Sequence, residues 1–125
     1  MDPALLNWPA VILGTVLAFG LGMIWFSPRM FGARWAAGSH GISAPDRAPV
    51  PAMALMALGL FLLALVVGLT ETNEAIGTAI AAVLAVAVTV AAMDLFSQKS
   101  TVAMLIDAGY LVACGVLMIG AQGLL

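Results

Sequence analysis

Residues 51–69 read PAMALMALGLFLLALVVGL, a stretch with no charge and no polar stripe. A helix of a soluble bundle keeps one face for water, and this stretch has no such face. A bilayer core takes about 20 predominantly apolar residues per helical span. The stretch therefore reads as a membrane-spanning helix. Pro51 opens it, because the missing N–H of a proline costs nothing in a first turn.

Three further apolar runs flank it, at residues 8–26, 75–96 and 101–124. Asn7 caps the first, Pro9 fits its first turn, and Pro28 ends it by pushing the preceding residue out of the helical region. Residues 70–74 (TETNE) form a short polar link, in which Thr72 or Asn73 is expected to cap the third run. Residues 97–100 (SQKS) form the last turn. In lipid each segment must satisfy its own backbone polar groups, so runs of this length are helices rather than open strands. The expected fold is all-α: one transmembrane domain over residues 1–125, an integral membrane four-helix bundle.

Composition agrees. Hydrophobic residues make up 64% of the chain, charged residues 8%, and the mean hydropathy is +1.17, whereas soluble domains carry about 25% charge. Four basic against six acidic residues give no nucleic-acid footprint. With 125 residues, four spans leave no room for a separate soluble domain. The single cysteine, Cys114, has no intramolecular disulfide partner. No Lys or Arg precedes Arg29, so the first run lacks the basic start of a secretory signal and is read as retained.

The basic residues set the expected orientation. Arg29, Arg34 and Arg47 lie in the first connection and Lys99 in the third, while Asp2, Glu71 and Glu74 lie at the other end. The positive-inside rule places both basic loops in the cytoplasm and both termini outside. The first connection also carries His40 and Asp46, with Pro45 and Pro49 as breakers. Within it Ser27 is expected to cap a short helix over residues 28–37, opened by Pro28 and closed by Gly38. Phe31 and Trp35 share one face of that helix. With Trp25 and Phe26 they suit a cytoplasmic interfacial helix between spans one and two, rings down and arginines outward.

These residues carry a resemblance. Asn7-Trp8, then Trp25-Phe26-Ser27-Pro28, Phe31-Gly32 and Trp35 resemble the opening of a family of small bacterial membrane proteins catalogued as domain of unknown function 1761. That family typically reads Trp-Tyr-Ser-Pro, two residues, Phe-Gly, two residues, Trp; Phe26 stands here for the usual Tyr. Residues 105–112 (LIDAGYLV), followed by Met118 and Gly120, also fit. The resemblance covers most of the chain. It implies four helices in a bacterial membrane and no particular activity.

Asp94 and Asp107 are the ionisable groups within the spans. A carboxylate at membrane depth marks a functional site by default. Asp107 lies about six residues into its helix, or about 9 Å at 1.5 Å per residue, with Asp94 shallower. One reading makes it a proton or cation site. The other makes it half of a structural ion pair, because buried charges are normally paired. The expected counterion is Arg29 or Arg34, since Lys99 would have to fold back along its own helix. Tyr110 shares a face with Asp107 and either bonds that carboxylate or rests its hydroxyl on a neighbour.

Small residues recur at four-residue spacing: Gly14, Ala18 and Gly22 in the first run, Ala64 and Gly68 in the second, Gly109 and Ala113 in the fourth. Such faces let helices approach closely, within this bundle or against another protein. His40 reads as a solvated loop residue, short of a metal site even with Asp46. There is no nucleophile–base set and no paired metal ligands, so no enzymatic role, cofactor or metal is expected. The expected function is a non-catalytic accessory subunit in a bacterial inner membrane, packed against a larger complex, respiratory or photosynthetic, or against itself. The alternative is a homo-oligomeric transporter or channel using Asp107.

Overall fold

A computed structural model describes residues 3–43 and 47–125; Asp2, Pro45 and Asp46, which entered the readings above, lie outside these. After a short 3-10 turn at Pro3–Leu5 come α1 (Trp8–Trp25), α2 (Gly32–Gly38), α3 (Val50–Glu71), α4 (Ile76–Phe96) and α5 (Thr101–Leu124). No strand occurs among the described residues, and α1, α3, α4 and α5 are each long and apolar enough to cross a membrane. The fold is an all-helical four-helix bundle with one short extra helix.

Local chemistry sets the helix ends. Asn7 Oδ1 accepts from Ala10 N at 3.2 Å, and Ser100 Oγ accepts from Ala103 N at 3.1 Å, so α1 and α5 have side-chain N-caps. Neither Thr72 nor Asn73 caps α4; its N-cap is Ala75. Thr72 instead turns back on α3, its hydroxyl donating to Leu69 O at 2.7 Å, because α3 runs on to Glu71. Among the described residues, His40, Glu74 and Gln98 are the non-glycine ones with positive φ, and each follows the end of a helix. Each takes the left-handed position that lets the next N–H bond back into the last turn.

The link from α1 to α2 is tighter than its sequence suggests. Ser27 does not cap a helix opened by Pro28. Its hydroxyl donates back to Ile24 O at 2.7 Å, and α2 starts only at Gly32, with Phe31 as N-cap. The intervening chain is a compact turn: Phe31 N donates to Trp25 O at 3.1 Å and Gly32 N to Ser27 O at 3.0 Å. A Cβ on Gly32 would lie 2.3 Å from the Phe26 carbonyl oxygen, so glycine is required there.

Packing centres on α5, the most buried span. The small face of α1 lies on it: Gly14 meets Met118, and Gly22 meets the Tyr110 hydroxyl. Tyr110, almost fully buried, donates to Ala18 O at 2.7 Å. At the end of α1, Trp25 Nε1 donates to Ile106 O at 3.0 Å. Ala64 and Gly68 on α3 are buried at the opposite end of the bundle, Gly68 against Leu6, Val11 and Gln122. The earlier half of α3 stands away, and burial begins at Leu60. An apolar groove of about 420 Å³ opens there between α1 and α3, lined by Phe19, Met23, Phe26, Met53, Met56 and Tyr110.

This seam is testable. A Cβ on Gly22 would lie 2.7 Å from Tyr110 Oη, so Gly22→Ala should displace the ring and cost about 1–3 kcal/mol of overpacking. Tyr110→Phe alone should cost about 1 kcal/mol for the lost hydrogen bond. In the Tyr110→Phe background Gly22→Ala should cost less, measured as thermal unfolding in detergent.

Candidate functional site

The α1–α3 and α4–α5 connections meet at one end of the bundle. Ser100 N donates to Gly38 O at 2.8 Å, and His40 Nε2 lies 2.8 Å from Ser97 O. Because Ser97 offers an acceptor, the His40 nitrogen is the protonated one. His40 is exposed, but it pins two loops together rather than simply facing solvent. This end carries Arg29, Arg34, Arg47 and Lys99, whereas Glu71 and Glu74 lie at the other.

Charged side chains from three elements converge here. Lys99 Nζ lies 3.7 Å from Asp94 Oδ1 and 3.8 Å from Asp107 Oδ2. It also stands 5.0 Å from the centroid of the Trp35 ring, within cation–π range. The Asp107 side chain interacts with those of Asp94 and Trp35 as well. Asp94 comes from the last turn of α4, Asp107 from the second turn of α5, Lys99 from the link between them and Trp35 from α2.

The expected counterion was wrong, and the backbone explains it. Arg29 and Arg34 are exposed, and neither forms an ion pair among the described residues. Arg34 instead lines a shallow pocket with Trp25, Phe31, Val102, Leu105 and Ile106. Lys99 does fold back. Gln98 takes φ 60°, Gln98 N donates to Leu95 O and Lys99 N to Asp94 O, each at 3.0 Å. This is the six-residue loop that closes many helices, usually with glycine at the left-handed position. It reverses the chain so that Lys99 begins its side chain next to Asp94. Asp94 is the more buried of the two acids: its side chain keeps 10% exposure against 14% for Asp107.

Other sequence-derived candidates separate from this cluster. Tyr110 does not reach Asp107; its hydroxyl is held by Ala18. The aromatic residues of the α1–α2 link fold onto one another instead of lying flat. Ring centroids are 4.9 Å apart for Trp25 and Phe31, 5.7 Å for Phe26 and Trp35, and 5.3 Å for Phe26 and Tyr110. Gly109 faces the Trp25 indole, and Ala113 is half-buried. No group of three or more His, Cys, Asp or Glu side chains able to hold a metal ion occurs among the described residues. Sequence reading missed Lys99 and the Trp35 ring as members of one site. The only available signal was the pairing of Asp94 and Lys99 across a helix-ending turn.

Four long apolar helices, a motif-built turn after the first, and an acid pair held at the basic end define a small multi-pass membrane bundle. The chain belongs to the family described as protein of unknown function (DUF1761), whose model matches residues 9–122. Comparison with curated proteins and with solved structures gives no match.

The ion pair makes a specific prediction. Lys99→Met leaves two carboxylates facing each other. It should cost about 1–3 kcal/mol in detergent, below the range for a fully buried pair because Lys99 stays partly exposed. Adding Asp94→Asn should recover part of that loss. Arg34→Gln should stay within about 0.5 kcal/mol of wild type. Equal losses for Lys99→Met and Arg34→Gln in thermal unfolding would contradict the assignment.

Proposed function

We propose that this protein is a non-catalytic membrane subunit that associates with neighbouring membrane helices through the outer face of α4. One observation carries the reading. Gly77, Ala81, Ala85 and Thr89 recur at four-residue spacing on α4, and all four are exposed. Beside this furrow runs an exposed ridge of Ile76, Ile80, Leu84 and Val88. α4 is also the least buried span.

Between lipid-facing helices no hydrophobic force acts, so association depends on close packing, and small residues permit it. The small faces of α1 and α3 are used inside the bundle, as are Ala79 and Ala87 of α4; the row Gly77, Ala81, Ala85 and Thr89 is not. The furrow and ridge match the way one helix seats its side chains between those of another. With the basic end in the cytoplasm, both termini face the periplasm of a bacterial inner membrane. The partner is either a larger complex, respiratory or photosynthetic, or a further copy of this chain.

Native gels and mass spectrometry after gentle solubilisation test the reading. Wild type should run in an assembly larger than the monomer. Ala81→Leu with Ala85→Leu should release the monomer while its own stability changes by less than about 0.5 kcal/mol, because both positions are exposed. Wild type that runs only as a monomer, or an assembly unaffected by the double substitution, would overturn it.

A further inference from the structure

The groove between α1 and α3 is a gap that the bundle leaves open. Phe19, Met23 and Phe26 of α1 face Met53 and Met56 of α3 across about 420 Å³. The Tyr110 hydroxyl on its lining already donates to Ala18 O, so the walls offer no free side-chain hydrogen bond. An unfilled gap forfeits dispersion contacts along its lining, and the occupant such walls favour is apolar. Dimensions decide which apolar occupant fits. From Phe19 to Phe26 the groove runs about 10 Å along α1, at 1.5 Å per residue. One turn of a helix about 10 Å across fills a volume of that size, whereas a partner's membrane span runs about 30 Å. Towards the other end of the bundle the walls meet, with Gly68 of α3 against Val11 of α1. A short recess of this kind suits a flexible hydrocarbon tail, and the three methionines, Met23, Met53 and Met56, adapt to one.

Charge selects the lipid that supplies the tail. At the basic end each wall of the groove leads to an arginine. Arg29 follows the lining residue Phe26 by three positions, and Arg47 precedes the lining residue Pro49 by two. Both arginines are exposed, and neither forms an ion pair among the described residues. Asp94 and Asp107, the described acids of this end, face Lys99 instead, and Arg34 lines a separate pocket. Arginine stems extend along apolar surface to place their heads at headgroup level, and the guanidinium fork matches a phosphate. We propose that the groove binds one anionic glycerophospholipid, with an acyl tail between α1 and α3 and its phosphate between Arg29 and Arg47. A zwitterionic lipid brings its own ammonium to the same two cations and is disfavoured. The site lies apart from the outer face of α4 and does not depend on any association made there.

Native mass spectrometry of the full chain in detergent tests this, with phosphatidylglycerol and phosphatidylcholine of identical acyl chains added in equal amounts. Wild type should carry one phosphatidylglycerol, preferred over phosphatidylcholine by about tenfold. Arg29→Gln and Arg47→Gln should each lower that preference by about fivefold, and the double variant should abolish it. Arg34→Gln should leave the preference unchanged. Ala52→Phe, which places a ring in the groove from an exposed position, should weaken binding of both lipids. Glycerol phosphate, which carries the anion without a tail, should not compete. No retained lipid, equal retention of the two lipids, a preference that survives the double arginine substitution, an equal loss in Arg34→Gln, or competition by glycerol phosphate would each overturn the proposal. So would binding unaffected by Ala52→Phe. Should that variant fail to fold, the arginine variants decide alone: a preference lost in the double variant and kept in Arg34→Gln supports the site, and any other result overturns it.

Discussion

The close approach of α1 to α5 governs this structure. Helices in lipid gain nothing from hiding apolar surface, so they need faces shaped for each other or polar groups that reach across. α1 and α5 have both. Gly14, Ala18 and Gly22 thin one side of α1, and Tyr110 and Met118 on α5 fill the space. Two side-chain donors then cross the seam, from Tyr110 to Ala18 O and from Trp25 to Ile106 O. Both bind carbonyls inside apolar surroundings, where an unsatisfied group is expensive. The first and last spans are thereby joined, and α3 and α4 pack around them.

The tryptophan-rich motif acquires a physical meaning from that seam. Trp25 ends α1 with its indole on α5. Ser27 and the Gly32 backbone fold the chain into a turn so tight that a side chain at Gly32 would strike the Phe26 carbonyl. Phe31 returns against Trp25, and Trp35 returns against Phe26. The motif is thus a device for bending the chain sharply at the end of a span and laying α2 on α5. Phe26, in the place of the family's usual tyrosine, packs its ring edgewise to Tyr110. No hydroxyl is needed for that contact.

At the basic end the bent chain meets the α4–α5 turn, and the polar chemistry of the protein gathers there. A glycine carbonyl, a histidine and a tryptophan from α2 and its loop contact Ser100, Ser97 and Lys99 in turn. Two acids and one lysine lie beneath. Their placement at the rim of the bundle keeps the lysine partly in water and the acids mostly out of it.

Read alone, the sequence yields the number of long helices and the end at which the basic loops gather. Uninterrupted apolar runs of bilayer length have only one way to satisfy their backbones, and four runs oblige alternate loops to share an end. It also marked Asp94 and Asp107, because charge is rare in such runs. It did not determine which cation meets them. Asp107 had two arginines within reach of the same end, and only the left-handed turn at Gln98 sent Lys99 backwards to the acids. Nor could it separate Gly14, Ala18 and Gly22 of α1, which the bundle consumes, from Gly77, Ala81, Ala85 and Thr89 of α4, which remain outside. Both outcomes depend on how each helix is rotated about its axis. With hydrophobic residues all round each span, no amphipathic stripe records that rotation, so the packing of α1 against α5 decides it.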